Sequence, residues 1–201
     1  MSRRISYLIV LTICVGCLLS MRTPLPAASE QFRGKIFSTG EMPPVDSRTE
    51  LKPGDKAPDF TLPSISGESV SLSRFLGTKN VVISFVPAAW TPVCSDQWPG
   101  YNVVKSMFDE RDTVMLGITV DNIPTLYAWT EEMGGVWFPV LSDFWPHGAV
   151  ARKYGVLRSD GTTERALFVV DKQGMIRYID VHNINERPKL EVLMQELDSL
   201  K

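Results

Sequence analysis

Two short runs of β-branched and aromatic residues, Asn80–Val86 (NVVISFV) and Thr113–Val120 (TVMLGITV), constrain this chain more than any other feature. Each is short and almost wholly apolar, the pattern of a buried central strand. Between them Val103, Val104, Met107 and Phe108 recur at helical spacing, while Pro99-Gly100 predicts a kink or break in that helix. Strands of this kind need cover on both faces, so helices must pack above and below them.

The flanking pattern extends the same alternation. Pro124 to Met133 predicts a helix with Leu126, Trp129 and Met133 on one stripe. FPVLSD (138–143) predicts a short strand, and GAVARKYGV (148–156) a short helix stopped by Gly155. RALFVV (165–170) and MIRYIDV (175–181) predict two strands joined by the turn DKQG. Pro188 to Leu200 predicts a closing amphipathic helix with Leu190, Val192, Leu193, Leu197 and Leu200 as its apolar members. Upstream, residues 57–77 alternate around Ser66-Gly67, which predicts a hairpin. The order predicts an α/β fold: a central mixed β-sheet flanked by helices, its antiparallel part supplied by the final hairpin. That is the order of a thioredoxin-like fold with an added N-terminal β-hairpin.

The 201 residues, 44% hydrophobic and 22% charged, suit one domain plus a leader. Residues 1–29 have the layout of a signal peptide or membrane-targeting segment. Arg3 and Arg4 precede an apolar run from about Leu8 to Leu19, no acid occurs before Glu30, and small residues surround Ala27 to Ser29. A spanning helix wants about 20 apolar residues, more than this run offers. Val15-Gly16-Cys17 also ends like a lipoprotein box, so cleavage, lipidation at Cys17 and a retained anchor stay open. All three place the domain outside the cytoplasm, periplasmic or secreted, touching membrane only through this segment. Residues 30–50, rich in Pro, Gly, Ser and Thr, predict a linker or poorly ordered arm before a domain spanning 51–201. A net charge of −2 without a basic block argues against nucleic acid. Two histidines and three cysteines are too few and too scattered for a metal site, and no cofactor is expected.

Cys94 is the only cysteine after Cys17. Cys14-Val15-Gly16-Cys17 spells C-x-x-C but lies in the apolar leader, with no folded helix to tune a thiol. Cys94 follows a buried strand. Thr91 suits an N-cap and Pro92 the first helical position, so Cys94 falls in the first turn of a helix. Free N–H groups and the helix dipole favour an anion there, and for a cysteine the anion is the thiolate. Against this stands the ordinary reading of a lone cysteine as inert core filler.

The segment Pro87-Ala88-Ala89-Trp90-Thr91-Pro92-Val93-Cys94 resembles the peroxiredoxin signature Pro-x-x-x-(Thr/Ser)-x-x-Cys. Residues 141–156 and 164–178 are similar to the family's downstream region, especially to the one-cysteine alkyl hydroperoxide reductase E branch. The resemblance covers about Leu51 to Leu200 and implies a thiol-dependent peroxidase acting on hydrogen peroxide and organic hydroperoxides. It implies that Cys94 is the peroxidatic cysteine, that Thr91 aligns the peroxide, that Pro87 shields the thiolate, and that Arg165 sits beside Cys94. With the N–H groups of Val93 and Cys94, Arg165 and the Thr91 hydroxyl would donate to the leaving oxygen. Gln97 stands where many relatives carry Glu; it can still accept from an arginine, without charge assistance.

With no cysteine after Cys94, the sulfenic acid would be resolved by an external thiol, small or on a thioredoxin-like reductant. A homodimer is implied by the resemblance alone. The rivals are an extracytoplasmic thiol–disulfide exchange protein, which would need C-x-x-C at the helix start, and a non-catalytic thioredoxin-like binding module. His147 is expected at a helix start and His182 on the surface past the last strand; for Phe144 and Trp145 core packing is the default, with a place near the site or at a dimer contact as alternatives.

Overall fold

The computed structural model describes Phe32 and residues 34–200. Residues 1–29, where a signal peptide or membrane-targeting segment is expected, lie with Cys14 and Cys17 outside the described residues. Among the described residues, seven strands and five α-helices follow in order: β1 (Thr61–Pro63), β2 (Ser69–Ser71), β3 (Asn80–Phe85), α1 (Cys94–Val103), α2 (Lys105–Asp109), β4 (Thr113–Thr119), α3 (Ile123–Glu132), β5 (Val140–Ser142), α4 (Ala149–Lys153), β6 (Arg165–Val170), β7 (Ile176–His182) and α5 (Leu190–Asp198).

The central sheet runs β5-β4-β3-β6-β7. β3 pairs parallel with β4 and β4 with β5, whereas β6 lies antiparallel to β3 and β7. This is the mixed sheet expected from the sequence. β1 and β2 pair antiparallel as the leading hairpin, with Leu62 opposite Val70.

Period-two alternation splits each strand between two cores. Val82, Met115, Leu167 and Val169 face a core closed by α1, α3 and α5, through Trp98, Tyr101, Leu126, Trp129, Leu193 and Leu197. Val81, Ile83, Phe85, Leu116, Ile118 and Phe168 face the other, closed by the hairpin and α4 through Leu62, Val70, Val150 and Tyr154.

The α1 stripe is Cys94, Ser95, Gln97, Trp98 and Tyr101, all buried. Trp98 and Trp129 pack with centroids 4.9 Å apart, and the indole N–H groups donate to Ser84 Oγ and Ser95 Oγ. Gly117 faces Trp98: a Cβ there would lie 2.7 Å from Trp98 Cζ2.

Several expectations need correction. The helix does not break at Pro99-Gly100; it runs through Pro99 and ends at Val104 (φ −112°, ψ 21°) before α2 begins. Pro99 deletes one helical bond, while the buried stripe on both sides of it stays docked. In α5, Val192 points outward and Met194 takes the buried place beside Leu193 and Leu197. Phe144 and Trp145 are not core residues. They are 49% and 81% exposed, because the chain leaves the sheet after Ser142 and turns outward, with Asp143 accepting from the Val150 and Ala151 N–H groups. His182 lies within β7 rather than past it, beside Asp180. His147 does sit just before α4, bonded to the Gly161 carbonyl.

Residues 36–50 form no regular element, yet they are fastened to the domain. The Ile184 N–H donates to the Pro44 carbonyl and Arg158 Nη2 to the Pro43 carbonyl. Asn185 both accepts from the Met42 N–H and donates to the Met42 carbonyl. Glu164 accepts from the Asp46 and Ser47 N–H groups.

Candidate active site

The site forms where β3 ends and β6 begins. Phe85 pairs with Ala166, so antiparallel β6 places Arg165 at the sheet edge from which the chain runs through Pro87 into α1. The connecting loop is held from three sides. The Ala89 N–H donates to Asp121 Oδ2 at 2.8 Å, Thr91 Oγ1 donates to the Ala88 carbonyl at 2.8 Å, and the Phe37 N–H donates to the Trp90 carbonyl at 2.9 Å. Trp90 adopts φ 61°, the left-handed region that a bulky side chain enters only under constraint. Phe32 packs edge-on against its ring at 6.1 Å.

Thr91 is not a side-chain N-cap. The residue before α1 is Val93, and the Thr91 hydroxyl proton is used on Ala88. Its backbone still starts the helical ladder, because the Ser95 N–H donates to the Thr91 carbonyl at 3.0 Å. The Val93 and Cys94 N–H groups precede that first bond and so lie free of the ladder.

Cys94 is wholly buried and free, at the head of the α1 stripe. Arg165 Nη2 donates to its sulfur at 3.5 Å. The same guanidinium donates through Nη1 to Gln97 Oε1 at 2.5 Å, and through Nε and Nη2 to the Ile184 carbonyl at 3.2 and 3.0 Å. Arg165 is 2% exposed, and among the described residues no carboxylate forms an ion pair with it. Its partners are an amide, a carbonyl and a thiol. A cation held only by neutral groups is costly to bury, and this one is aimed at the Cys94 sulfur.

The structure therefore brings together Cys94, Gln97 and Arg165, with Thr91, Val93 and Pro87 around them. Thr91, Val93, Pro87 and Arg165 line a cavity of 380 Å³. Gln97 does not line it and touches the site only through Arg165.

Tyr101 escaped the sequence reading. Its buried hydroxyl accepts from Gln97 Nε2 at 3.1 Å, which fixes the amide with its oxygen toward Arg165. Burial pushes the Tyr101 hydroxyl up to about 12, so it stays neutral through the ordinary pH range. The signal was its position four residues after Gln97, on the same helical face. Ile184, Asn185 and residues 38–42 carried no such signal. Among the described residues, no group of three or more His, Cys, Asp or Glu is placed to hold a metal ion.

The AhpC/TSA family model matches residues 53–179. The chain belongs to the AhpC/TSA family. Alkyl hydroperoxide reductase E of Mycobacterium bovis is 39% identical over 137 residues, covering 68% of this chain and 89% of that protein. A chloroplastic 2-cysteine peroxiredoxin of Chattonella marina var. antiqua is 29% identical over 160 residues, 75% of this chain and 81% of its own length. The crystal structure of reduced Plasmodium vivax 2-Cys peroxiredoxin superposes with a TM-score of 0.68 at 26% identity, covering 74% of this chain and 81% of that one. Membership in the AhpC/TSA peroxiredoxins supports a thiol-dependent peroxidase. The AhpC/TSA match stops short of two parts of this site: the arm before residue 53 and the corner at Ile184 and Asn185.

Proposed function

We propose that this chain is a one-cysteine, thiol-dependent peroxidase that reduces hydrogen peroxide and organic hydroperoxides and is resolved by an external thiol. One observation carries the reading: a buried guanidinium with no carboxylate partner among the described residues donates to the sulfur of Cys94, the only cysteine in the family-matched region.

Cys94 thiolate attacks one peroxide oxygen in line. The O–O bond breaks, its electron pair leaves on the other oxygen, and that oxygen departs as water or an alcohol once protonated. Charge thus moves from sulfur to the leaving oxygen. Arg165 and the free N–H groups of Val93 and Cys94 are the donors that favour this shift, since they are fixed before the reaction begins. The Thr91 hydroxyl spends its proton on Ala88, so its oxygen accepts from the peroxide O–H rather than donating to the leaving oxygen. Buried Pro87 keeps water from the sulfur. Cys94 itself is fully covered, so the loop from Pro87 to Val93 must part for the peroxide to reach it.

Cys94 is left as a sulfenic acid. No cysteine follows it in the sequence, so a thiol from outside attacks the sulfenic sulfur, releases water and forms a mixed disulfide; a second thiol then restores Cys94. A small thiol or a thioredoxin-like protein outside the cytoplasm fits this role, and the homodimer implied by the family resemblance belongs to the same proposal.

The test is the mass of the reduced protein after one equivalent of hydrogen peroxide. The expected result is one added oxygen at Cys94, absent in Cys94→Ser. A thiol still unmodified after minutes would instead support a non-catalytic binding module.

A further inference from the structure

The cavity is lined by Val93 and Arg165, the neighbours of Cys94, though not by Cys94 itself, and it is far larger than the smallest expected substrate. Its 380 Å³ is in the range of small-molecule sites, about 300–1,000 Å³, whereas hydrogen peroxide needs roughly twice the ~30 Å³ of a water molecule. One wall comes from the family-matched domain, through Pro87, Pro92 and Val93. The other comes from Ser38, Thr39, Gly40 and Met42, on the arm that precedes that region. Ile184 and Asn185 also line it.

The arm is a built wall. Asn185 grips Met42 by both backbone groups, at 3.0 and 2.8 Å. Beyond Met42 the arm is clasped by a buried ion pair: Arg158 Nη1 donates to Glu164 Oε2 at 2.6 Å, with side chains 2% and 0% exposed. Glu164 Oε1 accepts from the Asp46 and Ser47 N–H groups, both at 2.7 Å, and Arg158 Nη2 donates to the Pro43 carbonyl. Lifting the arm would strip charge-assisted bonds from a buried carboxylate and a buried guanidinium, so the closed wall is the stable state.

We propose that Met42 is a specificity-determining residue: the arm seats it against the apolar body of an organic hydroperoxide whose O–O group reaches Cys94. This rests on the peroxidase reading and adds the part of the substrate that the arm recognises. Met is suited to the task, being apolar and able to adapt to bodies of different shape. Contacts with the body of a substrate help organic hydroperoxides and give nothing to hydrogen peroxide, so they appear as a ratio of rates.

The experiment is a pair of single-turnover measurements, the oxidation of reduced Cys94 by cumene hydroperoxide and by hydrogen peroxide, followed by stopped-flow fluorescence. The ratio of the two rate constants is expected to fall about ten-fold in Met42→Ala. Glu41→Ala, an exposed arm residue outside the cavity lining, is expected to keep the wild-type ratio. An unchanged or raised ratio in Met42→Ala, or an equal fall in Glu41→Ala, would overturn the proposal. Binding of cumyl alcohol, the unreactive product, is measured alongside by calorimetry. If neither peroxide oxidises Cys94, the peroxidase reading fails on its own, and weaker cumyl alcohol binding in Met42→Ala still upholds the wall. Equal binding to both proteins would overturn it.

Discussion

Arg165 Nη2 stands 3.5 Å from Cys94 Sγ, and the guanidinium's other contacts are the uncharged Gln97 side chain and the Ile184 carbonyl. The cation is thus oriented by neutral groups and left electrostatically for the sulfur. A glutamate in place of Gln97 would put a carboxylate on the same guanidinium.

Thr91 is expected to act through its oxygen, with its proton already committed to Ala88. Thr91→Val should slow the reaction of reduced Cys94 with hydrogen peroxide by about a hundred-fold, and Thr91→Ser by less than about ten-fold. Stopped-flow rates separate the two. Equal losses would assign the effect to the methyl group and its packing.

Tyr101 gives a pH prediction. Burial raises its hydroxyl to about 12, so the folded protein holds that proton more tightly than the unfolded chain does. The resulting stability is complete below about pH 10 and is lost as pH rises towards about 12, in all about 3 kcal/mol. Tyr154, also raised by burial, adds to the same alkaline loss. Urea unfolding near pH 8 and near pH 11.5 should therefore show a smaller alkaline loss in Tyr101→Phe than in the wild type. At neutral pH the same variant strands the buried Gln97 Nε2 and should cost about 1–2 kcal/mol. An identical alkaline loss in both proteins would contradict the assignment.

Glu164→Ala should be among the most damaging single changes away from the thiol. It leaves Arg158 buried beside a vanished partner and two arm N–H groups without their acceptor. The expected loss is about 3–5 kcal/mol, measured by denaturant unfolding. A change below about 1 kcal/mol would mean that the arm is not held as described.

Gly117→Ala tests the packing under the helix that carries Cys94. The new Cβ would lie 2.7 and 2.9 Å from Trp98 ring atoms and 3.0 Å from Phe138. Trp98 is fully buried on the stripe that carries Cys94 and has little room to move. Overpacking of about 1–3 kcal/mol is expected in thermal unfolding. No shift in melting temperature would show that the helix yields without cost.

What the sequence revealed, and what it hid, divides along physical lines. β3, β4, β6 and β7 were legible because strands buried on both faces must be apolar throughout; the place of Cys94 at a helix start after a strand end was legible too, though the helix begins at Cys94 itself and without the Thr91 cap. Arg165 was legible only through family resemblance; a lone arginine at a strand start carries no local signal. The helix break moved from Pro99 to Val104 because tertiary docking outweighed one lost hydrogen bond. The core default failed for Phe144 and Trp145 since composition alone cannot say which aromatic side chains a turn leaves outside. The arm was hidden most completely. Its polar, glycine-containing sequence gives no hint that Glu164, Arg158 and Asn185 would grip its backbone, because backbone groups look alike in any sequence.

The central claim is that the buried guanidinium of Arg165 drives the chemistry at Cys94. Its most direct test is the second-order rate of hydrogen peroxide with the reduced thiol in Arg165→Met and Arg165→Lys, each checked for native circular dichroism. The account predicts a fall of about 10²–10³-fold in Arg165→Met, with Arg165→Lys restoring only part of it. A rate within two-fold of the wild type in folded Arg165→Met would contradict it.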